Sequence, residues 1–165
     1  MERYLTSDGR KKVKEKIKAH TNESRYMMFS IGEFLPVYFS EFALPLDQIY
    51  ADPFTQAVYM ASGAVSGILS RLNFRSARNG GIGKIFKNYN IKELFLDIGQ
   101  TAISTAAPMW GHATLAASYH YGRSEYERVR RDSITEDVLE AIDNGINPND
   151  KDVTTILRSL ESDLT

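Results

Sequence analysis

The chain has 165 residues, with 20 Lys+Arg against 21 Asp+Glu and a formal net charge of −1, so it carries no overall electrostatic bias toward a partner. That balance argues against nucleic acid, whose binding domains usually show a basic excess on one face. The absence of cysteine excludes disulfides, thiolate metal sites and a cysteine nucleophile. A mean hydropathy of −0.33 is that of a soluble protein, and any membrane reading has to stand against it.

Met1-Glu2-Arg3-Tyr4-Leu5-Thr6 lacks the apolar run of a signal peptide, so insertion into a membrane would use internal segments. Ser7-Asp8-Gly9 opens a short basic helix carrying Arg10, Lys11, Lys12, Lys14, Lys16 and Lys18, in which only Val13 and Ile17 repeat at a helical step. This first part, residues 1–21, reads as a solvated helix or as a cationic arm on anionic lipid headgroups.

Thr21-Asn22-Glu23 is a helix start, and the chain from Tyr26 to Leu46 is apolar and aromatic. Pro36 is expected to kink or break that segment and Pro45 to close it. After a short acidic connection, Phe54 to Ser70 runs without a charge and contains Gly63-Ala-Val-Ser-Gly67. Small residues at this spacing let helix backbones approach closely, which makes Gly63 and Gly67 candidate packing positions. Arg71 to Lys92 reads as a basic linker. Its Gly80-Gly81-Ile82-Gly83-Lys84 lacks the upstream glycine and following hydroxyl of a phosphate-binding loop, and a flexible turn is the better account.

Ile98 to Gly122 is uncharged if the histidines are neutral, and Pro108-Met109-Trp110-Gly111 interrupts it. Arg123 to Arg131 forms a charged helix. Ser133-Ile-Thr-Glu136 has the form of a capping box opening a helix to Asp143, Asn144-Gly145 supplies its stop, and a last helix begins near Asp150. The stretch from Val138 to Asp152 is similar to the second helix and loop of an ankyrin repeat. One partial unit makes no solenoid, so residues 132–165 read as a soluble helix-turn-helix tail.

The apolar domain, residues 22–131, poses the question of a membrane. Glu33, Glu41, Gln56 and Asp97 interrupt its segments, yet each segment is near the ~20 residues that cross a bilayer. Basic charge alternates: the N-terminal arm is basic, the 47–53 connection has no Lys or Arg, and the 71–92 stretch is basic again, as the positive-inside rule requires of two crossings. Arg123, Arg128, Arg130 and Arg131 return the chain to the same side, through an even number of crossings or a re-entrant hairpin at Pro108–Gly111.

Asp47-Gln48-Ile49-Tyr50, Arg71, the entry from Leu94 to Ile98 and Pro108-Met109-Trp110 together resemble the bacterial alanine exporter family, over roughly residues 26–131. The Pro-Tyr-Gly step that the family carries before its closing arginine is absent. The resemblance implies a small inner-membrane protein of about four spans that exports a small amino acid.

Ionisable groups at membrane depth are costly and default to functional candidates, which singles out Glu33, Glu41 and Asp97 with Gln100 and Arg71 as substrate-binding positions. A carboxylate would bind a solute's amine or relay a proton, and Arg71 would pair with a carboxylate. The alternative for each acid is an exposed position on a soluble amphipathic helix. His112 and His120 lie eight apart, but only Asp97 and Glu125 would complete a metal site, so no metal or cofactor is expected. No Ser–His–acid arrangement is legible from spacing.

The sequence therefore predicts an all-α protein, a small helical bundle with two to four apolar, small-residue-rich helices embedded in a membrane, plus a short helical C-terminal tail. The predicted function is that of a non-enzymatic, transporter-like multi-pass protein of the cell membrane, with lipid and a homo-oligomer or helical partner subunit as partners and no nucleic acid. The competing prediction is a cytoplasmic, non-enzymatic subunit of a larger assembly, its apolar helices buried against partners.

Overall fold

Helix is the only regular structure in the computed structural model, which describes residues 6–145 and 150–162, residue 161 in its backbone alone. In chain order the helices are α1 (Ser7–His20), α2 (Glu23–Phe42), α3 (Leu46–Ala51), α4 (Pro53–Asn79), α5 (Ile91–Ala106), α6 (Pro108–Asn144) and α7 (Lys151–Ser162), with a 3-10 turn at Ile82–Lys84. The protein is a helical bundle. No described helix is long and apolar enough to cross a membrane. The stretch Met1–Leu5 and residues 146–149 of the ankyrin-like segment lie outside the described residues.

Local chemistry sets the ends. The Asp52 carboxylate caps α4 by accepting from the Thr55 hydroxyl and the Thr55 N–H, and these bonds hold its carboxyl below the usual carboxylate range. Asn90 Oδ1 caps α5 through the N–H groups of Lys92 and Glu93. Gly80, at φ +80°, ends α4 in the left-handed region, where a side chain would be strained.

Three elements differ from the sequence reading. Pro36 lies inside α2, which continues through it to Phe42. The supposed linker is helical up to Asn79, because Arg71, Arg75 and Arg78 fall on one face and meet carboxylates of α5. The Ser133–Glu136 box starts no helix: α6 runs through it, and the Thr135 hydroxyl donates to the Arg131 carbonyl at 2.7 Å.

The chain divides into two units, Glu23–Tyr126 and the pair of segments Met1–Asn22 with Glu127–Thr165. In the second of these, α1, α7 and the latter part of α6 share one aliphatic core of Val13, Ile17, Ile134, Val138, Ile142, Val153, Ile156 and Leu160. These residues recur at three- and four-residue steps, so each helix presents one stripe inward. At the surface of this unit Arg10 pairs with Asp143 at 2.9 Å and Arg130 with Asp152, while Glu127 is buried and accepts from Arg130 at 3.4 Å.

The unit Glu23–Tyr126 has the opposite distribution of polarity. Its buried side chains are Ser30, Ser66, Ser70, Arg75, Glu93, Ser104, Ser118 and Ser124, with only Ile49 and three alanines as buried hydrophobics. Phe54 is 76% exposed, Met28 72%, Phe86 71% and Phe95 68%. The polar positions keep helical period: Glu93, Asp97, Gln100 and Ser104 form one stripe of α5, while Leu94, Phe95, Ile98 and Ile103 face away.

Two outcomes test the conventional core. Leu160→Ala, at a 1% exposed position, is expected to cost about 2–5 kcal/mol in thermal or denaturant unfolding. The Arg130 guanidinium bonded to Asp152, with His20 nearby, holds that carboxyl below the usual carboxylate range. A lowered folded-state value stabilises above the unfolded one and loses that contribution as pH falls through the folded value. The stability gap between wild type and Asp152→Asn should therefore be constant near neutrality and close in acid, below about pH 4.

Candidate functional site

The site is built where α2, α4, α5 and the first part of α6 converge, and glycines bring the last three together. A Cβ on Gly63 would lie 2.1 Å from the Ser104 carbonyl oxygen, and one on Gly111 would lie 2.8 Å from the Gly63 carbonyl. A Cβ on Gly67 would meet the Ser104 side chain at 2.8 Å, and one on Gly122 the Phe74 carbonyl at 2.4 Å. The contacts at Gly63–Gly111 and Phe74–Gly122 lie the same eleven-residue step apart on both helices, so α4 and α6 run parallel in near backbone contact. The hairpin at Ala107 makes α5 antiparallel to both, with Ser104, 0% exposed, wedged between them.

α2 runs antiparallel to α6, joined by two carboxylate–imidazole pairs. Glu33 meets His120 Nδ1 at 2.7 Å, and Glu41 meets His112 Nδ1 at 3.0 Å. Ser30 donates to the Ala117 carbonyl at 3.2 Å, and Ser124 donates to the Glu23 carbonyl at the same distance. Both acids are eight residues apart and so are both histidines. That shared step was the sequence signal for the pairing. Among the described residues no group of three or more His, Cys, Asp or Glu is placed to hold a metal ion.

At Glu41 the pair extends into a four-member relay. The Tyr59 hydroxyl donates to the other Glu41 oxygen, and Ser62 Oγ lies 3.1 Å from His112 Nε2. Serine, imidazole and carboxylate thus stand in the order of a nucleophile, base and orienting acid. Ser62 also donates to the Tyr59 carbonyl at 2.7 Å and sits well inside α4, where neighbouring N–H groups are consumed by the helical ladder. An acyl-transfer centre needs such donors aimed at the developing oxyanion. The four side chains tie α2, α4 and α6 together, and burial with the Glu41 bond pushes the Tyr59 hydroxyl well above its ordinary value, so it holds its proton and donates.

A second polar cluster joins α4 to α5. Arg71 donates from Nε to Asp97 at 2.8 Å and from Nη2 to Glu93 at 2.7 Å. Arg75 Nη1 reaches Asp97 at 2.5 Å, Arg78 Nη1 reaches Glu93 at 3.0 Å, and the Tyr89 hydroxyl donates to Asp97 at 3.1 Å. Arg75 is 3% exposed, lies over the Tyr89 ring at 4.8 Å, and its Nε has no partner.

Beside this cluster a cavity of about 470 Å³ opens among the four helices. Ser30, Ser70, Gln100, Thr114 and Ser118 give it a polar wall, Phe34, Phe74, Trp110 and Tyr121 an aromatic one, and Arg71 its charge. Gln100 is held by donation to Ser104 at 3.2 Å and to Thr114 at 2.8 Å, and it accepts from Trp110 Nε1 at 3.5 Å. The sequence-derived site residues are thus divided: Arg71 and Gln100 line the cavity, Asp97 braces Arg71 from behind, and Glu33 and Glu41 face histidines. Sequence reasoning missed Glu93 and the serine wall. Glu93–Asp97 at a four-residue step opposite Arg71–Arg75 at the same step was the available signal for Glu93, and the serines had none.

Comparison with protein-family models, with curated proteins and with solved structures finds no match to this chain.

Glycine contact is testable directly. Gly63→Ala is expected to destabilise the protein by about 1–3 kcal/mol or more, since the added methyl meets backbone. Gly32→Ala, whose Cβ would meet nothing within 4 Å, should instead leave the melting temperature unchanged or raise it, within about 1 kcal/mol of helix propensity. Thermal unfolding of both variants under one solvent condition checks the pair.

Proposed function

We propose that the unit Glu23–Tyr126 is embedded in a membrane and that the protein moves a small polar solute through its polar interior, as a transporter-like multi-pass protein. The observation that carries this reading is the reversed polarity of the unit, apolar outside and polar inside. In water, exposing so many Phe, Ile and Leu side chains would cost about 25 cal/mol per Å² of apolar surface, while the buried arginines and carboxylates would return little. In hydrocarbon the same surface is at its ease, and inward-facing charges are paired where lipid requires them to be.

Helix length and charge support the same reading. α2, at 20 residues, is about 30 Å long and α4, at 27, about 40 Å, against a hydrocarbon core of about 30 Å. Their hydropathy is modest because one face of each is polar, which averages out the apolar face. α2 antiparallel to α6, α4 parallel to it and α5 antiparallel give four alternating directions, so the Pro108 hairpin supplies the even number of crossings. Arg25, Arg71, Arg75, Arg78, Lys92 and Arg123 fall at one end of that arrangement, and residues 41–57 and 98–122 at the other end and between carry no Lys or Arg. The resemblance to alanine exporters is consistent with a small solute that carries a carboxylate.

A second reading, a non-enzymatic subunit whose apolar face is covered by protein partners, draws on the finding that no described helix is long and apolar enough to span. One experiment separates the two. The chain has no cysteine, so Tyr50→Cys and Asn79→Cys each give a single label site. On the membrane reading the protein leaves the membrane fraction only in detergent, and an impermeant thiol reagent on intact cells labels position 50 and spares 79. Release by carbonate or urea, with both positions protected, would overturn it in favour of the subunit.

A further inference from the structure

We propose that the cavity among α2, α4, α5 and α6 is a binding site for a small monocarboxylate carrying an apolar or aromatic body. The inference deepens the solute-handling reading above and rests on it for its role, while the binding itself stands on the cavity alone.

Charge decides the ligand class. The cluster beside the cavity holds three guanidiniums, of Arg71, Arg75 and Arg78, against two carboxylates, of Glu93 and Asp97, which leaves one positive charge uncompensated among these bonded groups. Of the five, Arg71 is the one that lines the cavity. Its Nε and Nη2 are fixed by Asp97 and Glu93, so the planar fork is already ordered, and its Nη1 has no hydrogen-bond partner among the described residues. Arg75 Nε, buried and without a partner, is a further sign that the cluster has more donors than acceptors. An anionic oxygen on Arg71 Nη1 would balance the charge through a charge-assisted bond.

The acids that an amine would need are not available to it. Asp97 and Glu93 are held by arginines, Glu41 by His112 and Tyr59, and Glu33 by His120, and none of the four lines the cavity. A cationic solute therefore meets Arg71 with no free carboxylate to offset it. The second carboxylate oxygen has the Ser70 and Ser118 hydroxyls and the Gln100 amide within the same wall, and the body of the ligand has the rings of Phe34 and Trp110. The volume, about 470 Å³, is that of a small-molecule site.

Trp110 is the sole tryptophan and lines the cavity, so its fluorescence reports occupancy. The detergent-solubilised full chain would be titrated with benzoate, benzamide and benzylamine, which share a ring and differ in charge. Benzoate should change Trp110 emission saturably, with benzamide and benzylamine at least about tenfold weaker. Arg71→Gln should weaken benzoate about tenfold to a hundredfold. Because that change also unpairs Glu93, the double variant Arg71→Gln/Glu93→Gln keeps the cluster's net charge and should lose benzoate equally while retaining the helical circular-dichroism signal. Equal binding of amide and carboxylate, no saturable response from the folded wild type, or full binding by the folded double variant would each overturn the proposal. Failure here with the chain still extracted only by detergent would leave the membrane reading standing. Release without detergent would sink that reading alone.

Discussion

Close backbone approach between α4, α5 and α6 is the constraint on which the rest of the larger unit depends. Where a Cβ at Gly63 would come within 2.1 Å of the Ser104 carbonyl, there is no room for the interlocking of Leu and Ile that holds ordinary helices 8–10 Å apart. Dispersion between backbones and small side chains has to supply the cohesion, together with hydrogen bonds among residues that fit the narrow space. Serine suits that space, and Ser66, Ser70, Ser104 and Ser118 are all buried. Large apolar side chains have nowhere to go but outward. The reversed polarity where α4, α5 and α6 cross is thus a consequence of this packing mode, and the outward Phe95 of α5 follows from the glycines of α4 and α6.

Long polar side chains occupy the places where the helices diverge. The Arg71–Asp97–Arg75 network sits beyond Gly67 along α4, and the Glu41–His112–Ser62 relay lies next to the Gly63–Gly111 contact. Each charged group is bonded to an opposite or polar partner, since an unpaired ion in low dielectric is expensive, while Arg71 Nη1 and Arg75 Nε remain as surplus donors. The cavity lies between these two fixed points, with rigid walls: Gln100 is tied at both ends of its amide, and Phe34 meets Trp110 edge-on at 5.5 Å.

Helix content, the small-residue stripe of α4, the start of α2 at Glu23 and the stop of α6 at Asn144 are local properties, and a helical period or a cap is visible in a few neighbouring residues. The α4 end was misplaced because Arg71 to Arg78 has the composition of a linker; only the acids of α5, fifteen or more residues on, make those arginines helical and partly buried. The uninterrupted α6 was hidden for the same reason. Its Ser133 and Glu136 form a cap motif, but the stripe of Ile134, Val138 and Ile142 is completed by Val13 and Ile17 at the opposite end of the chain. Of the candidate site, Arg71 and Gln100 were legible as polar residues in apolar surroundings. The hydroxyl wall was not, because a serine reads alike in a tight helix crossing and on a wet surface.

The two units make the argument about surroundings an internal comparison. One chain, with one composition, places Val138, Val153 and Leu160 inside at the unit made of its termini and places Phe54, Phe86 and Phe95 outside at the other. The rule of burial thus changes at Tyr126, in the middle of a single helix: one unit packs aliphatic stripes together, and the other packs serines, Arg75 and Glu93 inward and turns its aromatic side chains out.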